Sequence, residues 1–114
     1  MSVCDIEKIK SAIAEQDGVL FAYLFGSQAR GKASERSYFD IAVYLSGEGK
    51  GSAAMRGFYI EAAITRLLGT DDIQVVVLNG LDSPLFGFEV IKDGVLLVDR
   101  NTAERIEFEA RILG

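Results

Sequence analysis

Apolar residues recur along this chain in two periods, and the changes of period mark its elements. Between Asp5 and Glu15, Ile6, Ile9, Ala12 and Ile13 are spaced to line one face of an α-helix. Asp17-Gly18 then supplies a turn. Val19 to Phe25 is short, rich in aromatics and apolar at every position, as a strand covered on both faces would be. Phe39 to Leu45 predicts a second strand, in which Asp40 is the odd residue. Ser46-Gly-Glu-Gly-Lys-Gly51 is glycine-rich and predicts a flexible loop.

Ser52 is placed to cap a helix running to about Leu68, with Met55, Phe58, Ala62 and Leu68 near one face and Gly69 to end it. Ile73 to Leu78 predicts a β-branched third strand, followed by Asn79-Gly80. Pro84 starts a short helix through Ile91, closed by Asp93-Gly94, and Val95 to Val98 predicts a short strand. Asn101 and Glu104 form a capping-box pattern for a last helix, whose expected buried side carries Ile106, Ala110 and Leu113. Helices alternate with strands without repeat or linker. The expected fold class is α+β: a mixed β-sheet with helices packed against it, in a single domain over residues 1–114.

Charge and residue usage then narrow the chemistry. Seventeen acidic residues against 12 basic give a net charge of −5, which opposes binding dominated by a phosphate backbone. Arg30, Lys32 and Arg36 form one small basic group, so nucleic acid is not an expected partner. The absence of histidine removes imidazole acid–base chemistry, Ser-His-Asp catalysis and His-ligated zinc. Cys4 has no second cysteine with which to form a disulfide. Apolar runs fall far short of the ~20 residues that span a bilayer. The expectation is a cytoplasmic protein without a membrane segment.

The chemically informative stretch is Leu24-Phe-Gly-Ser-Gln-Ala-Arg-Gly31, followed by Ser37-Tyr-Phe-Asp-Ile-Ala-Val43. A buried strand ends at Gly26-Ser27 and a helical turn begins at once. Glycine permits close approach to the backbone, and a helix start offers free N–H groups to a phosphate, to which Ser27 adds a hydroxyl. The chain returns as a strand carrying Asp40, where a carboxylate is costly unless it is solvated, paired or holding a cation. The glycine-rich loop at 47–51 lacks the Gly-Lys-Ser/Thr order of a P-loop and reads as a connection.

This combination resembles the signature of the polymerase-beta-type nucleotidyltransferase superfamily, above all its minimal nucleotidyltransferase members: Gly-Ser-x-Ala-Arg-Gly, a spacer, then Ser-Asp-x-Asp-hydrophobic. The likeness runs over nearly the whole chain. It implies the nucleotidyltransferase fold, a nucleotide or phosphate site at Gly26, Ser27, Arg30 and Ser37, and a metal site for Mg2+ built from three carboxylates. Here the pattern departs twice. Tyr38 stands at the first carboxylate position and Gln74 at the third, leaving Asp40 as the residual catalytic and metal-binding residue. A phenol and an amide offer magnesium weak, uncharged ligands. Asp71, Asp72 and Glu35 are the nearby acids that would have to compensate.

Local alternatives stand beside these roles. Asp40 also reads as an acid paired with Arg30 or Arg36, Arg30 as a brace of the helix–strand junction, and Tyr38 as a filler of the volume left by metal and carboxylate. The resemblance also brings partners, because minimal nucleotidyltransferases often pair with HEPN-domain proteins as antitoxin and toxin. The first expectation is therefore a pseudoenzyme: a catalytically impaired, antitoxin-like binding or regulatory partner of a HEPN-type protein, needing no cofactor. The alternative is an active enzyme that uses Mg2+ to transfer a nucleoside monophosphate from ATP to a protein or small-molecule hydroxyl. A third reading is a sensor that binds ATP or another nucleotide without turnover. Association into a homo-oligomer stays open in all three.

Overall fold

The computed structural model describes residues 3–26, 39–47 and 52–114. In chain order the described elements are α1 (Val3–Ala14), β1 (Val19–Phe25), β2 (Phe39–Leu45), α2 (Ala53–Leu68), β3 (Ile73–Val77), α3 (Pro84–Asp93), β4 (Val95–Asp99) and α4 (Thr102–Leu113). The sheet runs β3-β2-β1-β4. β1 lies antiparallel to β2 and β4, while β2 and β3 are parallel and joined through α2. β1, apolar throughout, and β2, apolar but for Asp40, thus take the middle, where both faces are covered. This is the mixed sheet and α+β class that the alternation of elements predicts.

One face of the sheet packs on α1 and α2 through Ile9, Ile13, Ile60 and Ile64, which meet Leu24, Ile41 and Val43. The other packs on α3 and α4, where Val90 and Phe108 join Phe21, Tyr23 and Ala42. Ser52 Oγ accepts from Met55 N–H at 3.1 Å to start α2, and Gly69, at φ 67°, ends it. Asn101 Oδ1 accepts from Glu104 N–H at 3.0 Å to start α4. Arg100 closes α1 from a distance: its guanidinium donates to the carbonyls of Ala14, Gln16 and Val19. Cationic donors there satisfy carbonyls that a helix end leaves open.

Asn79 performs a related service for the sheet. Leu45 N–H donates to Asn79 Oδ1 at 2.7 Å, and Asn79 Nδ2 donates to the Leu45 carbonyl at 2.8 Å. The side-chain amide supplies the rung that β3 would supply if it continued.

Two sequence expectations about helix faces are overturned. On α2 the buried residues are Gly57, Ile60 and Ile64; of the expected face Met55, Phe58 and Ala62 are exposed, while Leu68 packs against the core as expected. On α4 the expected inner residues Ile106 and Leu113 are 55% and 57% exposed, Ala110 is exposed too, and Phe108 lies inside. The phase of α4 is set by contacts that the sequence period does not contain. Phe108 packs with Phe21 and Tyr44 at ring separations of 5.7 and 5.6 Å. Tyr23 Oη donates to Glu109 Oε2 at 2.6 Å, and Arg105 bridges Asp99 at 2.8 Å and Glu109 at 3.0 Å. That network holds the Asp99 carboxyl below the usual range, chiefly through the hydrogen bond from Arg105. Burial, then the hydrogen bond to Glu109, pushes the Tyr23 phenol up.

Candidate nucleotide site

The site begins where β1 ends. Gly26 adopts φ +79°, in the left-handed region, and a Cβ built on it would fall 2.5 Å from Asp40 Oδ2. Two independent constraints therefore demand glycine: the backbone turn, and the room that the Asp40 carboxylate occupies. The close approach that the sequence assigns to a ligand is made, in this structure, by Asp40 itself.

Strand register sets the rest. Phe25 pairs with Asp40 across the antiparallel ladder, and Asp40 pairs with Gln74 across the parallel one. Phe25, Asp40 and Gln74 thus form a row across three strands, with neighbouring strands about 4.8 Å apart. Side chains alternate along a strand, so Asp40 shares the α3/α4 face with Ala42 and Tyr44. Phe25 in turn meets Phe86 of α3 edge-on, at 5.4 Å and 89°. Asp40 is half-buried while Gln74 is exposed. Burial raises the Asp40 carboxyl above its usual range, because the ionised form loses hydration.

Among the described residues, Asp71 and Asp72 do not gather here. Asp72 precedes β3, where its carbonyl accepts from Phe39 N–H at 2.8 Å and its carboxylate lies 3.5 Å from Thr70 Oγ1. Asp71 is exposed in the preceding turn. Among the described residues no three Asp, Glu, His or Cys side chains converge as metal ligands. Among the described residues the row offers one carboxylate and one carboxamide, and magnesium prefers anionic oxygen. Ser27, Arg30, Ser37 and Tyr38, with Lys32, Glu35, Arg36 and residues 48–51, lie outside the described residues, as does any pairing of Asp40 with Arg30 or Arg36.

Phe86 lies outside the motif that marks the site in the sequence. Its position was implicit in Ser83-Pro84, since Ser83 Oγ accepts from Phe86 N–H at 3.2 Å and so places Phe86 in the first turn of α3. Its meeting with Phe25 depends on how α3 crosses the sheet, which no local pattern records. Among the described residues no helix is long and apolar enough to cross a membrane.

Comparison with known structures returns the same architecture. A toxin–antitoxin structure with AMP-PNP superposes with a TM-score of 0.75 at 20% identity, covering 96% of this chain and 84% of that one. A tri-AMPylated HEPN toxin of Shewanella oneidensis in complex with MNT antitoxin gives 0.71 at 18% identity, covering 99% and 84%. The toxin–antitoxin MntA-HepT gives 0.69 at 18% identity, covering 98% and 84%. At these identities the likeness shows the fold. No curated protein matches at a significant level. The family model for polymerase beta nucleotidyltransferases matches residues 7–103, which take in β1 through β4, Gly26 and the whole Phe25–Asp40–Gln74 row. The chain belongs to the polymerase beta nucleotidyltransferase family.

Proposed function

We propose that this chain is a single-domain, cytoplasmic, antitoxin-like partner of a HEPN-type protein, with nucleotidyl transfer impaired by loss of metal ligands. The observation that carries the reading is the pairing of Asp40 with Gln74: an amide stands in register where a second carboxylate would share a cation. Tyr38 removes another carboxylate from the sequence pattern. Support for the partner comes from the structural neighbours, which include a HEPN toxin in complex with MNT antitoxin. In this reading Gly26, Ser27, Arg30 and Ser37 are an inherited nucleotide site, and Asp40 is its residual acid.

One observation favours the active alternative, in which the chain transfers a nucleoside monophosphate from ATP with Mg2+. The Shewanella oneidensis toxin bound to MNT antitoxin is tri-AMPylated, and Asp40 is retained here. The two are separated by co-expressing the chain with the product of an adjacent HEPN reading frame and incubating the complex with labelled ATP and magnesium or manganese. The proposal expects a stable complex without Asp40-dependent label, and metal binding regained when Tyr38→Asp and Gln74→Asp are combined. Label that appears on the partner and disappears in Asp40→Ala establishes the enzyme instead.

A further inference from the structure

β3 is one edge of the sheet, and its register decides which backbone groups are already bonded. Phe39 N–H donates to the Asp72 carbonyl and Leu78 N–H to the Val43 carbonyl, each at 2.8 Å, and the pairing between them advances one for one. In such a parallel ladder alternate residues bond the neighbour. Asp72, Gln74, Val76 and Leu78 therefore turn their groups inward, and Ile73, Val75 and Val77 turn theirs outward. Glu61 Oε1 of α2 meets the outward Val75 N–H at 2.8 Å. Among the described residues nothing meets the outward N–H and carbonyl of Val77 or the carbonyl of Val75.

A groove of about 540 Å³ runs beside this edge, with Ala53, Ala54, Gly57 and Phe58 of α2 on one side and Val75 to Val77 on the other. Small residues keep it open, and Phe58 stands at its rim 67% exposed. Among the described residues that line it, Glu61 is the one charged side chain. Among the described residues no cation pairs with Glu61, and Asp71 and Asp72 precede the same strand.

We propose that the β3 edge is a docking strip for an extended, basic segment of a partner protein, which adds as a fifth strand. A lysine or arginine of that segment lies on Glu61, and an alternate apolar side chain enters the groove against Phe58. Backbone pairing supplies the attachment and the alternating side chains the selectivity. Glu61 holds the edge donor of Val75 until the strand arrives, a common way of guarding an exposed edge. Charge complementarity chooses this occupant over a second copy of the chain. A two-fold pairing of β3 edges would bring Glu61 and the aspartates of both copies together. The inference is independent of whether the partner is of HEPN type.

The test is a titration of the 15N-labelled chain with a short synthetic peptide alternating lysine and valine. Controls are the same composition interrupted by prolines, and a peptide alternating glutamate and valine. Shifts and slowed exchange are expected at the Val75 and Val77 amides. Glu61→Gln, which keeps an acceptor for Val75, should weaken the lysine peptide roughly fivefold, and Glu61→Lys should reverse the preference toward the glutamate peptide. Val77→Pro removes an outward donor without removing a ladder bond and should abolish binding while the circular dichroism spectrum is kept. If that variant does not fold, the two Glu61 variants decide. Equal binding of the proline-interrupted peptide, shifts confined to other regions, unchanged preference in Glu61→Lys, or self-association through β3 would overturn the proposal.

Discussion

Replacing Asn79 probes how the sheet ends. Its amide meets both the N–H and the carbonyl of Leu45, at 2.7 and 2.8 Å, and Leu45 is 2% exposed. Asn79→Ala leaves both groups without a partner on that side. An unmet buried donor or acceptor costs about 1–3 kcal/mol, and partial access of water near the turn puts each toward the lower end, for a total of about 2–3 kcal/mol. At about 4 °C per kcal/mol for a domain of this size, the melting point should fall by roughly 8–12 °C. Asn79→Asp is the sharper variant. Its carboxylate can still accept from the Leu45 N–H, but it sets a second oxygen against the carbonyl that Nδ2 now meets. That repulsion raises the folded-state pKa of the new acid above its unfolded value. Its stability is therefore fullest at low pH and is lost as pH rises through the raised value. Urea unfolding of parent, Asn79→Ala and Asn79→Asp at matched pH, from below the carboxylate range to neutral, reads both effects. Both variants within about 0.5 kcal/mol of the parent at neutral pH would refute the argument, since water would then replace the rung at no cost.

Three further outcomes follow from the site and the helix faces. Gly26→Ala should cost about 1–3 kcal/mol from the left-handed turn and the contact with Asp40, and Asp40→Ala should relieve only the contact part, which a double-mutant cycle measures by chemical denaturation. Asp40→Asn should raise stability at neutral pH. Burial lifts the Asp40 carboxyl, so the parent loses stability as pH climbs from the unfolded to the folded value, and the gain should vanish in acid; equal melting points across pH would contradict it. Ile106→Glu should leave the melting point almost unchanged while Phe108→Ala costs about 3–5 kcal/mol, and the reverse order would restore the helix face expected from sequence.

Much of the fold was legible because single positions left little choice. Val19 to Phe25 has no polar residue with which to face water, so it predicts a central strand, and β1 has those bounds. Ser52, Gly69 and Asn101 carry their capping chemistry locally, and the helices start and stop there. The faces of α2 and α4 were less legible because each helix carries two apolar sets. In α4 the period allows Ile106, Ala110 and Leu113 as readily as Phe108 and Ile112. The choice is made by Tyr23 and Gly87, distant in sequence, since a Cβ on Gly87 would lie 2.8 Å from Ile112 Cδ1. At the site, the sequence identified Asp40 and Gln74, but their register, and the lodging of the carboxylate against Gly26, belong to the assembled sheet. The role of Glu61 as acceptor for Val75 had no sequence signal, because an acid on a helix is ordinarily a solvated one.

The Arg100 guanidinium ties the timing of folding to the connectivity. The carbonyls at the end of α1 are satisfied by a residue 84 to 86 positions later in the chain, and β1 gains one of its two neighbours only when β4 arrives. A first helix finished from so far along the sequence gains little from folding early, since the ordering cost falls due before the distant contact exists. Maturation of the N-terminal half should therefore coincide with the docking of β4. A ribosome-bound fragment that stops before Arg100 would hold α1 with a frayed end and β1 with an open flank.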